Sequence, residues 1–299
     1  MAEPVGTTSS GVVGYFNTEH LIDASELLKK PAYSNYKIID FRKEEDYLQG
    51  HISNAINIQL TDIEDDSYPY QGMMAKKEAV NLLFSKLGIA PSDTLVVYDE
   101  RSACDAARLW WVLRNYDFET VKLLNGGLHA WLALDGTVTN AISEFKPSIF
   151  KFGSEKPSMK LYADKENVLQ ALNNPGTVLL LDARTQDEFT GKRQKRGAAR
   201  AGRIPGSKSI DWAEAVDYHN TKRFKSYNEL ETIYGALGVS KDHPIITYCH
   251  SGVRSAHTTY VLTELLGYTN VKNYDGSWVE WSHMEAFPIE KDSATTINQ

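Results

Sequence analysis

Cysteine is scarce in this chain: Cys104 and Cys249 are the only two in 299 residues. Two thiols cannot form a disulfide framework, and they lack the CxxC spacing of a zinc site. A long apolar run is also missing, so no segment suits a bilayer. The first residues, Met1 to Gly14, are polar and small, with no basic segment leading into an apolar stretch, and do not read as a secretory signal. The expected location is therefore cytoplasmic, where cysteines are usually reduced. An excess of positive charge is absent too: the formal net charge is −7, which argues against non-specific nucleic-acid binding. What is present is the balance of a soluble globular protein, 42% hydrophobic and 24% charged. The length suits two domains of ordinary size better than one core.

The chain is written twice. Val80, Leu83, Phe84 and Leu87 fall over Leu230, Ile233, Tyr234 and Leu237 at an offset of 150. Both sets have the i, i+3, i+4, i+7 spacing of an amphipathic helix. Each helix is expected to end near a glycine, Gly88 or Gly238. The offset continues through two short apolar strands, Leu95-Val96-Val97-Tyr98 and Ile245-Ile246-Thr247-Tyr248, and then through Gly126 over Gly276 and Trp131 over Trp281. Upstream, Ile39-Asp40-Phe41-Arg42 matches Leu181-Asp182-Ala183-Arg184, and the second copy gains residues between Asp182 and Arg203. Strands alternating with helices predict an α/β fold, two tandem domains each with a mainly parallel sheet flanked by helices. The expected boundaries are 15–140 and 161–290. Residues 141–160, with Pro147, Gly153 and Pro157 and little periodicity, are expected to connect them.

The segment richest in chemistry is Tyr248-Cys249-His250-Ser251-Gly252-Val253-Arg254. A buried strand should end at Tyr248, and a helix should begin near Val253 and run through Tyr260, Val261 and Leu265. Cys249 then lies at the C-terminal end of a parallel strand, where open α/β sheets bind ligands. A short loop containing Ser251 and Gly252 can turn successive N–H groups inward as an anion nest, with the positive end of the helix dipole behind it. Such surroundings favour a thiolate. A cysteine buried after a strand is more often plain packing; the glycine, the helix start and Arg254 together favour a working nucleophile.

This loop resembles the Cys-x-x-Gly-x-Arg active-site loop of the rhodanese family. Leu181-Asp182-Ala183-Arg184 with Glu188-Phe189, Gly202-Arg203-Ile204-Pro205-Gly206-Ser207, and Asp275-Gly276-Ser277-Trp278 resemble the family's other signature segments, in the family's order. His250 stands where many members have Arg, and Arg203 where the family commonly has His. The resemblance implies a sulfurtransferase working by double displacement. Cys249 would take the outer sulfur of a small anionic donor, thiosulfate or 3-mercaptopyruvate. It would then pass the sulfur from a persulfide to cyanide or a thiol, including a protein thiol, with ping-pong kinetics and no cofactor or metal. Arg184 and Arg254 are the expected anion contacts, with His250, Ser251, Gly252 and Val253 completing the substrate loop. The plainer alternative for each arginine is a salt bridge, such as Arg184 with Asp187 or Glu188. On charge the expected donor is thiosulfate, with Arg254, Arg184 and a protonated His250 supplying positive potential.

In the first copy Asp99 occupies the position of Cys249, so the N-terminal domain is expected to be inactive and to cover the working cleft. A carboxylate cannot carry a persulfide, and is expected to sit badly in the nest unless Arg101 or Arg42 neutralises it. Cys104 is read as packing, with a redox role as the alternative. The run Lys192-Arg193-Gln194-Lys195-Arg196 is read as a solvated loop, the alternative being a basic rim that draws donors inward. Two other classes compete. A cysteine phosphatase of the same fold has Cys-x5-Arg, one residue more than lies between Cys249 and Arg254. A non-enzymatic sulfur carrier or sensing module would keep the loop and dispense with turnover. No membrane partner is expected.

Overall fold

The structure, a computed structural model, describes residues 14–29 and 36–292. The first half runs β1 (Leu21–Asp23), α1 (Ala24–Leu27), β2 (Tyr36–Asp40), α2 (Glu44–Gln49), β3 (His51–Ile52), β4 (Ile56–Asn57), α3 (Lys77–Lys86), β5 (Thr94–Tyr98), α4 (Ala106–Asn115), β6 (Val121–Asn125), α5 (Gly127–Leu132) and β7 (Val138–Thr139). The second half repeats the plan: β8 (Tyr162–Ala163), α6 (Lys165–Asn173), β9 (Leu179–Asp182), α7 (Gln186–Thr190), β10 (Lys208–Ser209), α8 (Tyr227–Gly235), β11 (Ile245–Tyr248), α9 (Val253–Tyr260), β12 (Val271–Tyr274) and α10 (Ser277–His283).

Each half forms a five-stranded sheet, ordered β1-β6-β5-β2-β4 in the first and β8-β12-β11-β9-β10 in the second. All pairings within these two sheets are parallel. The repeat read in the sequence is therefore a repeat of topology. Central strands β5 and β11 are apolar because helices cover both their faces; Leu95, Val96, Val97 and Tyr98 are fully buried. Helix α8 starts at a capping box in which Ser226 and Glu229 satisfy each other's backbone N–H. Left-handed glycines, Gly88 at φ 71° and Gly238 at φ 66°, stand just beyond α3 and α8.

Two clusters of buried side chains belong to one half each, and a third runs through both. The shared core forms where α4 meets α9. Trp110 and Tyr260 pack edge to face at 4.9 Å, Trp111 Nε1 donates to Leu161 O at 2.9 Å, and Tyr260 Oη donates to His20 O at 2.9 Å. The two halves thus share one interior. Residues 141–160 contain neither helix nor strand and are largely exposed, but two of their side chains anchor the segment. Phe150 and Phe152 are buried, and Phe150 meets Phe84 edge to face at 4.9 Å. Among the described residues, no helix is long and apolar enough to cross a membrane.

Candidate active site

Strand β11 delivers Cys249 to the C-terminal edge of the second sheet, and α9 begins four residues later at Val253, as the sequence led us to expect. The helical path continues beyond α9 as one π-helical turn, Val261–Leu265. Gly252 caps α9 in the left-handed region at φ 76°. A Cβ there would also stand 2.8 Å from Asp275 O and 2.9 Å from an Arg108 nitrogen, so both conformation and space require glycine.

Cys249 is a free thiol, 1% exposed. Burial alone pushes its pKa up. That push is more than offset by the positive charge of Arg254 and by hydrogen bonds from the Ser255 hydroxyl and the backbone N–H groups of Ser255 and Ser251, so the net shift is downward. The Ser255 hydroxyl is buried with no other partner, which leaves it to the sulfur. The loop is fixed from beneath: Cys249 N–H donates to Ser277 Oγ (3.2 Å), and Cys249 O and His250 O accept from Trp278 N (3.0 Å) and Val279 N (2.9 Å). Asn273 Nδ2 donates to Gly252 O at 2.9 Å. The roles of Ser255, Ser277 and Asn273 were missed in the sequence. Hydroxyl and amide side chains carry no mark of what they face until the chain folds.

The arginines are both paired. Arg254 grips Glu188 with two parallel bonds of 2.7 and 2.8 Å. Arg184 grips Asp182 through Nε and Nη2, donates to Gly202 O at 2.8 Å, and lies 4.7 Å from the Trp278 ring centre. Of the two carboxylates offered as alternative partners for Arg184, Asp187 and Glu188, the second pairs with Arg254. Arg42 makes the same bonds to Asp40 and to Gly50 O in the first half, which has no thiol at this place. The Asp-x-Arg pair is thus a device of the fold in both halves. His250 overturns an expectation. Burial, together with Lys195 and Arg254, lowers its pKa to about 4, so it is neutral at pH 7 and supplies no charge; its Nε2 meets Arg196 O at 3.0 Å. Within the basic run, Lys195 has Arg254, Cys249 and Glu188 among its electrostatic neighbours. The run 192–196 is exposed to solvent throughout, as the solvated-loop reading expects, and Lys195 is the member whose charge reaches the Cys249 loop.

The sister loop corrects a second expectation. The nest receives Asp99: its carboxylate accepts N–H bonds from Arg101, Ala103, Asp105 and Ala106 at 2.8–3.0 Å, although burial still disfavours its charge. It is the resident anion. Burial and nearby Asp105 nevertheless raise its pKa to about 6. Neither proposed cation forms an ion pair with it: Arg42 pairs with Asp40 and Arg101 with Asp105, although the Arg101 charge is still felt at Asp99. Ser102, the counterpart of Gly252, holds φ 57° without being glycine. Cys104 is fully buried, and burial with Asp105 nearby pushes its pKa well up, the state of a packed thiol.

The Glu188–Arg254 pair gives a pH prediction. Burial pushes the Glu188 carboxyl up, but Arg254 outweighs it and holds the pKa at about 2, against 4.5 ordinarily. The folded-state value is depressed, so its stabilisation is present above pH 4.5 and is lost as pH falls toward 2. Glu188→Gln should cost about 3 kcal/mol at pH 7, because Arg254 is left buried and unpaired. Urea unfolding should show the gap from the unsubstituted protein narrowing below pH 4.5. A gap undiminished at pH 3 would contradict this account.

A thiol at the end of a parallel strand, ringed by N–H groups and set beside an arginine, in one half of a duplicated α/β chain, defines a class. The rhodanese-like domain is matched twice, over residues 23–134 and 164–284, and the chain belongs to the rhodanese family. It is 33% identical over 294 residues to the sulfur carrier protein TtuD of Thermus thermophilus, covering 93% of this chain and 99% of that protein. It is 34% identical over 291 residues to a thiosulfate sulfurtransferase of Corynebacterium glutamicum, covering 95% of this chain and 94% of that protein. Among solved structures, SseA of Escherichia coli, described as a 3-mercaptopyruvate sulfotransferase, superposes with a TM-score of 0.75 at 30% identity. That match covers 87% of this chain and 99% of SseA.

Proposed function

We propose that this protein is a sulfurtransferase that carries sulfane sulfur on Cys249, with thiosulfate as preferred donor. The observation that carries the reading is the thiol itself, buried, free and favoured as thiolate by Arg254 and the loop N–H groups. The thiolate attacks the outer sulfur of thiosulfate. A new S–S bond forms, the S–S bond of the donor breaks, and sulfite leaves with the electron pair. The Cys249 persulfide then yields its terminal sulfur to cyanide, giving thiocyanate, or to a thiol, including a protein thiol, and the thiolate returns. The two half-reactions share one free-enzyme form, so ping-pong kinetics follow. The persulfide anion occupies the nest whose N–H groups, those of Ser251 and Ser255, already reach the sulfur. Arg254 is the anion contact whose charge acts most strongly on the sulfur, Arg184 is the second anion contact, and Lys195 adds positive charge to the same site. Support for a protein acceptor comes from the relative named a sulfur carrier. The N-terminal half bears no sulfur, because Asp99 fills its nest. A free, reduced thiol of this kind suits the cytoplasm.

The test compares thiosulfate and 3-mercaptopyruvate with cyanide as acceptor, reading thiocyanate. Thiosulfate is expected to have the higher kcat/KM. A value more than about tenfold higher for mercaptopyruvate, about 1.4 kcal/mol, would rule out the donor choice. Failure of both donors to form thiocyanate or to load Cys249, with turnover of an aryl phosphate, would replace the reading by a phosphatase.

A further inference from the structure

We propose that Arg108, in the N-terminal half, is a positioning residue for the Cys249 loop and acts through Asp275. The inference rests on the sulfurtransferase reading and assigns the first half a part in it. Arg108 lies on α4 and is completely buried. Its Nη2 donates to Asp275 Oδ1 and to Gly72 O, both at 2.6 Å, and its guanidinium lies 4.5 Å from the Trp111 ring centre. The other Asp275 oxygen accepts Met74 N–H at 3.0 Å. Both oxygens of this carboxylate are therefore held by the opposite half of the chain.

Asp275 in turn sits within the segment that fixes the loop. Asn273 holds Gly252 O, Ser277 accepts from Cys249 N–H, and Trp278 and Val279 donate to the carbonyls of Cys249 and His250. The loop is also pressed from the N-terminal side. A Cβ on Gly72 would stand 2.6 Å from Ser251 Cβ, and Arg108 lies against Gly252. A shift of Asp275 would be passed to the loop through four hydrogen bonds, two of them on Cys249 itself.

The duplication supplies an internal control. Asn125 is the counterpart of Asp275 at the 150-residue offset, and Phe224 is the counterpart of Met74. Phe224 N–H donates to Asn125 Oδ1 at 3.1 Å, so the same cross-half clasp exists on the side that has no thiol. There, however, the counterpart of Arg108 is Thr258 and the carboxylate is an amide. On that side the cross-half charge contact is the looser, part-exposed one between Arg223 and Asp23 (3.8 Å), reached from Asn125 Nδ2; among the described residues the direct, fully buried arginine–carboxylate clasp lies under the loop that bears Cys249. A buried ion pair stabilises a fold no better than apolar packing and often less well. What it supplies here is a fixed geometry for the segment that carries the Cys249 loop.

The experiment measures, in the full chain, kcat and donor KM with thiosulfate and the pH midpoint of Cys249 alkylation by iodoacetamide, beside thermal stability. Arg108→Met should lower kcat at least tenfold with little change in KM and move the alkylation midpoint upward. Arg108→Lys, which keeps the charge but loses the planar fork, should recover part of both. Asp275→Asn, which copies the clasp of the other half, should show the same two effects in milder form. Should Arg108→Met fail to fold, the Lys and Asn variants carry the test. Variants that lose thermal stability but keep the kcat and midpoint of the unsubstituted protein would show Arg108 to be merely structural and overturn the proposal. If the unsubstituted protein transfers no sulfur while the midpoint still moves on substitution, the positioning role stands and the sulfurtransferase reading falls.

Discussion

Cys249→Ser is expected to reduce sulfur transfer by at least about 10³-fold, roughly 4 kcal/mol of barrier, while Cys104→Ser keeps most of the activity. A serine hydroxyl cannot hold sulfane sulfur, and no second thiol stands ready. Cys104 is fully buried and held protonated by burial and by Asp105, and the sister nest is filled by Asp99. After treatment with thiosulfate, mass spectrometry of the unsubstituted protein should find one added sulfur on the peptide that contains Cys249. Sulfur found only on the Cys104 peptide would overturn the assignment of the nucleophile.

Arg254→Ala should lower kcat/KM for thiosulfate by about 1.5–3 kcal/mol, roughly 10–150-fold. Two effects combine. The substitution removes the positive charge that most favours the Cys249 thiolate, and it leaves the Glu188 carboxylate buried without its partner. A thiol whose pKa rises by one unit loses about tenfold in thiolate below that pKa. The pH profile of the donor step should therefore have its midpoint below the ordinary thiol value of 9.0 in the unsubstituted protein, and higher in the variant. Donor KM should rise as well, since the anion loses a contact. A profile that does not move would show that another group tunes the sulfur.

These expectations differ in where they come from. The place of Cys249 could be read from the sequence, because its signals are local: an apolar strand, a loop with Gly252, a helix start, all within a dozen residues. The resemblance to the rhodanese family rested on the same short segments. The charge at the site was not legible. His250 titrates far from its ordinary value only because the fold buries it beside Lys195 and Arg254. The pairing of Glu188 with Arg254 was not seen either, because the two lie 66 residues apart. Asp99 looked misplaced because a carboxylate was judged by its charge alone, whereas four backbone N–H groups receive it.

The sequence by itself determined the duplication, the α/β class of each half, the ends of α3 and α8, and which half keeps a thiol at the strand end. Each of these follows from periodicity and from residue types within one or two turns of chain, where spacing along the sequence sets spacing in space. Only the tertiary structure decided which cation meets which anion, which donors reach the sulfur, and that Arg108 lies beneath a loop more than 140 residues further along the chain. Those pairings depend on how two sheets and their helices pack into one shared core. Burial and distance then set the strength of every charge, and neither is written in the order of residues.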